Sequence, residues 1–136
     1  MERLDHVVST IGAFLGTGFT FIFGGWETGV QILFICMIMD FVLGIMSGTK
    51  EHALSSEKGF KGLKKKFTVI IILILAVLLD RLLKQEWVFR TLVIYFYIGM
   101  EGISILENAT KLGVPFPTKV QNILIQLRDG ESKEEW

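Results

Sequence analysis

Two acidic side chains stand where acids are rare. Asp40 interrupts a long apolar run, and Glu101 lies near the middle of another. On insertion scales an Asp at the centre of a lipid-embedded helix costs about 2.5–3.5 kcal/mol, so such groups face protein or water and mark function. Both have polar company at helical spacing. Asp40, Gly44 and Ser47 fall at i, i+4 and i+7, which places them on one stripe. Tyr97, Glu101, Ser104 and Asn108 form a second stripe, with Arg90 further along the same side. Two chemistries fit. The stripes line a wet path through an oligomer, or they are hydrogen-bonded acids that hold a bundle together. Arg90 lies about 16 Å along the helix from Glu101, so these two do not pair within one chain.

Other chemistry finds no residues to carry it. No Ser/His/Asp arrangement and no metal-spaced cluster of His or Cys is present. Gly59-Phe60-Lys61-Gly62 is glycine-rich, but no strand precedes it and the spacing is not that of a phosphate loop. Cys36 is the single cysteine, read as a small apolar residue in a helix; His6 and His52 are solitary, read as solvated or interfacial. No enzyme activity, cofactor or metal is expected.

The elements that must position the two acids are long and apolar. Hydrophobic residues make up 51% of 136, and the mean hydropathy is +0.51. Charges are crowded into short segments instead of alternating with apolar residues, which is the pattern of chain that meets lipid. The reading is an all-α integral membrane protein with four transmembrane helices, about 7–23, 30–48, 67–83 and 89–109. The alternative is three spans plus a re-entrant or interfacial N-terminal helix. Residues 1–111 form the membrane domain, and 112–136 a cytoplasmic tail. In that tail 118–128 is a short amphipathic helix, with Val120, Ile123, Leu124 and Leu127 on one face, followed by a charged, disordered end. The N-terminal run closes on Gly24-Gly25-Trp26 without a small-x-small cleavage site, so a cleaved signal peptide is not expected. Gly12 and Gly16, and again Gly44 and Gly48, are G-x-x-x-G pairs that let helix backbones approach closely. The third helix, apolar all round over 67–79, is expected against lipid, with Asp80 and Lys84 paired at i, i+4.

Orientation comes from the loop over 49–66. It holds Lys50, Lys58, Lys61, Lys64, Lys65 and Lys66 against Glu51 and Glu57, in a chain whose net charge is zero. Lysine-rich loops beside membrane spans stay in the cytoplasm. With four spans, eleven basic residues share that side and Arg81, Lys84 and Arg90 lie on the other. Both termini are then cytoplasmic. Residues 55–67 read as a short interfacial helix. Phe60, Leu63 and Phe67 would face lipid, and Lys58, Lys61, Lys64, Lys65 and Lys66 would meet anionic headgroups. Topology explains these lysines, so no nucleic-acid partner is expected.

Four separated blocks carry a resemblance. They are Met39-Asp40-Phe41-x-x-Gly44; Leu54-Ser55-Ser56-Glu57-x-Gly59-Phe60-x-Gly62-x-x-Lys65-Lys66; Glu101-Gly102-x-Ser104-Ile105-Leu106-Glu107-Asn108; and Gly113-Val114-Pro115-x-Pro117-x-Lys119. In this order and spacing the chain, from about residue 30 to 127, resembles the phage lysis and toxin-secretion holin family. The resemblance implies a small phage-type protein of the host bacterial cytoplasmic membrane that gathers into homo-oligomers. Such assemblies open lesions at a set time. A cytoplasmic endolysin, or in some relatives a toxin, leaves through them as cargo without direct binding. Its partners would be membrane lipids and copies of itself.

Overall fold

The computed structural model describes residues 1–50 and 56–130. Residues 51–55, including His52 and the first part of the basic loop, lie outside the described residues, as does the charged end 131–136. The described residues form five helices and no strand: α1 (Glu2–Phe23), α2 (Thr28–Lys50), α3 (Ser56–Leu82), α4 (Val88–Lys111) and α5 (Thr118–Asp129). Three of them, α1, α2 and α4, are long and apolar enough to cross a membrane. Helix α3 differs because its uncharged stretch, 67–79, is bracketed by Lys66 at one end and by Asp80 and Arg81 at the other.

Helix α4 is central and packs on α2, α3 and α5. The core sits between α2, α3 and α4 and is built from Val30, Leu33, Met37, Val69, Leu73 and Ile94. Val30, Leu33 and Met37 recur at helical spacing, so α2 offers one continuous apolar ridge. Helix α1 is almost detached. Residues 1–17 are exposed, and only Phe19 and Phe23, near its C-terminus, reach the core.

The basic segment and the third apolar run form one continuous helix, not an interfacial helix followed by a span. Nor is α3 exposed all round. Val69, Leu73, Ala76, Val77 and Asp80 are buried against the bundle, while Phe67, Ile71 and Leu75 on the far side are exposed.

The two turns at the far end of the bundle are held by charge. The fully buried Asp80 accepts hydrogen bonds from the backbone N–H groups of Phe89 (2.9 Å) and Arg90 (2.8 Å). It therefore caps the start of α4, where orphan N–H groups need an acceptor. The expected Asp80–Lys84 pair is replaced by this cap. Lys84 and Trp87 both adopt left-handed backbone (φ 53 and 58) to make the link tight enough. Arg90 donates to the carbonyls of Phe23 (2.7 Å) and Gly25 (3.3 Å) and pairs with Glu27 (3.3 Å). Arg81 donates to the carbonyl of Phe21 (3.0 Å). Cations thus satisfy the C-terminal carbonyls of α1. Gly24 ends that helix at φ 80. A Cβ there would lie 2.8 Å from Arg90 Nε, so both backbone and packing require glycine.

Helix α5 folds back antiparallel along α4. A Cβ on Gly99 would lie 2.6 Å from both Leu124 O and Arg128 N, and one on Gly102 would lie 2.5 Å from Leu124 Cδ2. These two glycines form a notch that admits the α5 backbone and the Leu124 side chain. The face α5 turns inward coincides only in part with its apolar face. Leu124 and Leu127 are half-buried, as is Arg128, but Val120 and Ile123 stay exposed.

Candidate functional site

Both sequence stripes point to one place, between α2, α3 and α4 at the end nearer the basic segment. Lys66 reaches into it from α3. Its ammonium donates to Asp40 Oδ2 at 2.8 Å and to Glu101 Oε2 at 2.7 Å. Asn108 Nδ2 donates to the other Asp40 oxygen at 3.2 Å. The three charged side chains are only 10–15% exposed. Gly44 brings α2 close to α4, and a Cβ there would touch Asn108 Nδ2 at 3.8 Å. Ser47 is buried. Tyr97, Ser104 and Ser47 line a cavity of about 490 Å³ whose floor is the ion cluster.

Elementary electrostatics explains the arrangement. One carboxylate withdrawn from water needs a nearby cation or donor. Two carboxylates sharing one ammonium leave a net charge of −1, which the amide of Asn108 and water in the cavity can solvate. The cluster binds three helices at one point, so it can act as a latch or as the wettable wall of a path. Among the described residues no group of three or more His, Cys, Asp or Glu side chains converges as a metal site. The carboxylates here meet an ammonium instead.

The other expected residues are scattered. Arg90, grouped by spacing with the second stripe, is at the opposite end of the bundle, bound to the α1–α2 turn. Gly12 and Gly16 have nothing within 4 Å of a would-be Cβ, so their face of α1 is open. Gly48 lines the cavity. Lys58, Lys61, Lys64 and Lys65 are exposed on the first turns of α3, with Lys64 Nζ 4.8 Å from the Phe60 ring centroid. Lys66 departs from this headgroup set because it turns inward. The signal was present in the sequence, since Lys66, Val69, Leu73, Val77 and Asp80 follow helical spacing and the last four, with Ala76, make the buried face of α3.

Fold and site together define a helical membrane protein in which charged side chains on three helices are turned toward one another. The chain matches the bacteriophage holin family over residues 17–129, and it belongs to that family. It is 47% identical over 130 residues to an uncharacterised 14.9 kDa protein of the nagH 3′ region of Clostridium perfringens, covering 95% of this chain and 98% of that one. An uncharacterised protein of Clostridium acetobutylicum is 39% identical over 81% of this chain and 89% of its own length. An uncharacterised Listeria monocytogenes protein is 32% identical over 88% of this chain and 86% of its own. No solved structure matches the chain.

Proposed function

We propose that this protein is a holin that acts in the bacterial cytoplasmic membrane. It accumulates as a homo-oligomer and opens lesions through which a cytoplasmic endolysin, or a toxin, is released. Four helices cross the bilayer, α3 by its shorter apolar run extended to Leu83, with the lysine-rich end and both termini in the cytoplasm. The observation that carries the reading is the Asp40–Lys66–Glu101 cluster in a chain of this family. Charged groups at membrane depth are costly unless paired. In the single chain they satisfy one another. On assembly the same stripes can turn toward water and line an opening, with the open Gly12/Gly16 face of α1 packing between copies.

Regulated expression in a bacterium tests this, with a potential-sensitive dye in the medium and with or without a cytoplasmic murein hydrolase. The expected result is abrupt depolarisation in both strains and lysis only where the hydrolase is present. Gradual loss of viability without depolarisation would overturn the proposal. The inward-turned cluster also suits a second reading, a holin antagonist that stays closed. Co-expression with a working holin that delays lysis would identify it.

A further inference from the structure

Helix α5 lies at a depth that its charges do not suit. Gly99 stands at the midpoint of α4 (Val88–Lys111), about 18 Å along the helix from Lys111. A Cβ there would lie 2.6 Å from Arg128 N. The last turn of α5 is therefore level with the middle of a helix long and apolar enough to cross a membrane. Arg128 and Asp129 pair there at 2.8 Å, with side chains 36% and 44% exposed. Glu131, Lys133, Glu134 and Glu135 follow in sequence. Charges at the centre of a hydrocarbon layer about 30 Å thick are costly, and a helix end also needs water or a cap for its last carbonyls. The docked position of α5 is thus compatible with water along this face of α4 and incompatible with lipid.

The docked helix also uses its apolar face poorly. Leu124 and Leu127 are half-buried, while Val120 and Ile123 on the same face stay exposed. On a bilayer surface α5 would bury all four and keep Asn122, Gln126 and Asp129 in water. The link between α4 and α5 suits a helix with two positions. Gly113 turns at φ 82 with nothing within 4 Å of a would-be Cβ, and Pro115 and Pro117 keep α4 and α5 from joining into one helix.

We infer that α5 is a strap: it lies on the cytoplasmic membrane surface while lipid surrounds α4, and docks on the Gly99/Gly102 notch when that face of α4 meets water, as along the wall of an opening. This rests on the membrane placement and assembly proposed above. Docking is available in the wet arrangement and not in the lipid-embedded one. Its contacts therefore shift the equilibrium toward the opened assembly.

The test uses the full chain with Cys36→Ala and new cysteines at two positions that line one groove beside α4 and α5, Tyr95→Cys and Gln126→Cys. Intrachain bridging by a short bismaleimide, separated from dimers on a gel, reads the docked position. The chain is reconstituted in phosphatidylcholine vesicles over a range of protein-to-lipid ratios, and expressed in cells. In dilute vesicles the yield should be low, and it should rise severalfold as copies assemble. In cells it should rise at the onset of depolarisation. A neutralised chain, with Arg128→Leu, Asp129→Leu, Glu131→Gln, Lys133→Gln, Glu134→Gln and Glu135→Gln, should bridge severalfold more than its parent in dilute vesicles. Gly102→Leu fills the notch, so it should keep the yield low throughout and delay depolarisation, and Leu124→Ala in the same chain should restore both in part. Efficient bridging of the parent in dilute vesicles, no gain in the neutralised chain, or earlier depolarisation in Gly102→Leu would overturn the inference. A chain that never depolarises cells refutes lesion formation and leaves the vesicles to judge the strap. A yield that climbs with the protein-to-lipid ratio then supports it, and a flat yield overturns it.

Discussion

Replacing Lys66 by methionine removes the one ammonium that both carboxylates share and keeps an unbranched apolar stem one atom shorter. Breaking a buried ion pair from one side costs about 3–5 kcal/mol. The cluster is slightly wet, and the acids have another way out. Either can take up a proton and become neutral, which limits the penalty. Some residual solvation brings the expectation to about 2–3 kcal/mol, within the range for breaking buried hydrogen-bonded charges. The assay is equilibrium unfolding in mixed micelles, followed by helical circular dichroism. Acidification supplies the neutralising proton, so the gap between variant and parent should narrow as pH falls. The triple variant Lys66→Met/Asp40→Asn/Glu101→Gln removes all three charges and should recover most of the loss. Lys64→Met, on an exposed lysine of the same helix, should change stability by less than about 0.5 kcal/mol. If Lys66→Met matches Lys64→Met, or the triple variant is no better than the single one, the latch does not hold the bundle.

Three further outcomes follow from the packing. Gly102→Leu should release α5 from α4, seen as faster amide exchange over 118–129, and Leu124→Ala in the same chain should restore part of the protection, because the two side chains compete for one space. Asp80→Ala should cost about 1–3 kcal/mol through the two uncapped amides of α4, with Asp80→Asn losing less because it keeps one acceptor; chemical denaturation measures both. Gly12→Leu/Gly16→Leu should leave the unfolding midpoint of the single chain unchanged, since nothing lies near either position, while reducing cross-linked oligomers in membranes severalfold.

What the sequence disclosed was what rests on local pattern. The apolar runs located α1, α2 and α4, because backbone hydrogen bonds and uninterrupted hydrophobicity are written residue by residue. The acids were legible for the same reason, as charges where none belong. Partners were less legible. Lys66 was counted with its neighbours in the basic run, and only its register with Val69 and Leu73 distinguishes it. Asp80 looked local to Lys84, but the amides of α4 lie nine and ten residues on and give a better-placed pair of donors. Which face of α5 packs inward was not legible from hydrophobicity alone. The notch at Gly99 and Gly102 accepts backbone and one leucine, and that shape selects Leu124 and Arg128 over Val120 and Ile123.

The most direct test of the central claim is the timing of depolarisation after induction in cells carrying the wild type, Asp40→Asn, Glu101→Gln or the exposed Glu107→Gln. The account predicts an abrupt collapse of membrane potential whose onset shifts strongly in the first two variants and stays at the wild-type time in Glu107→Gln. A wild-type chain that never depolarises the membrane, or three variants with the same onset, would contradict it.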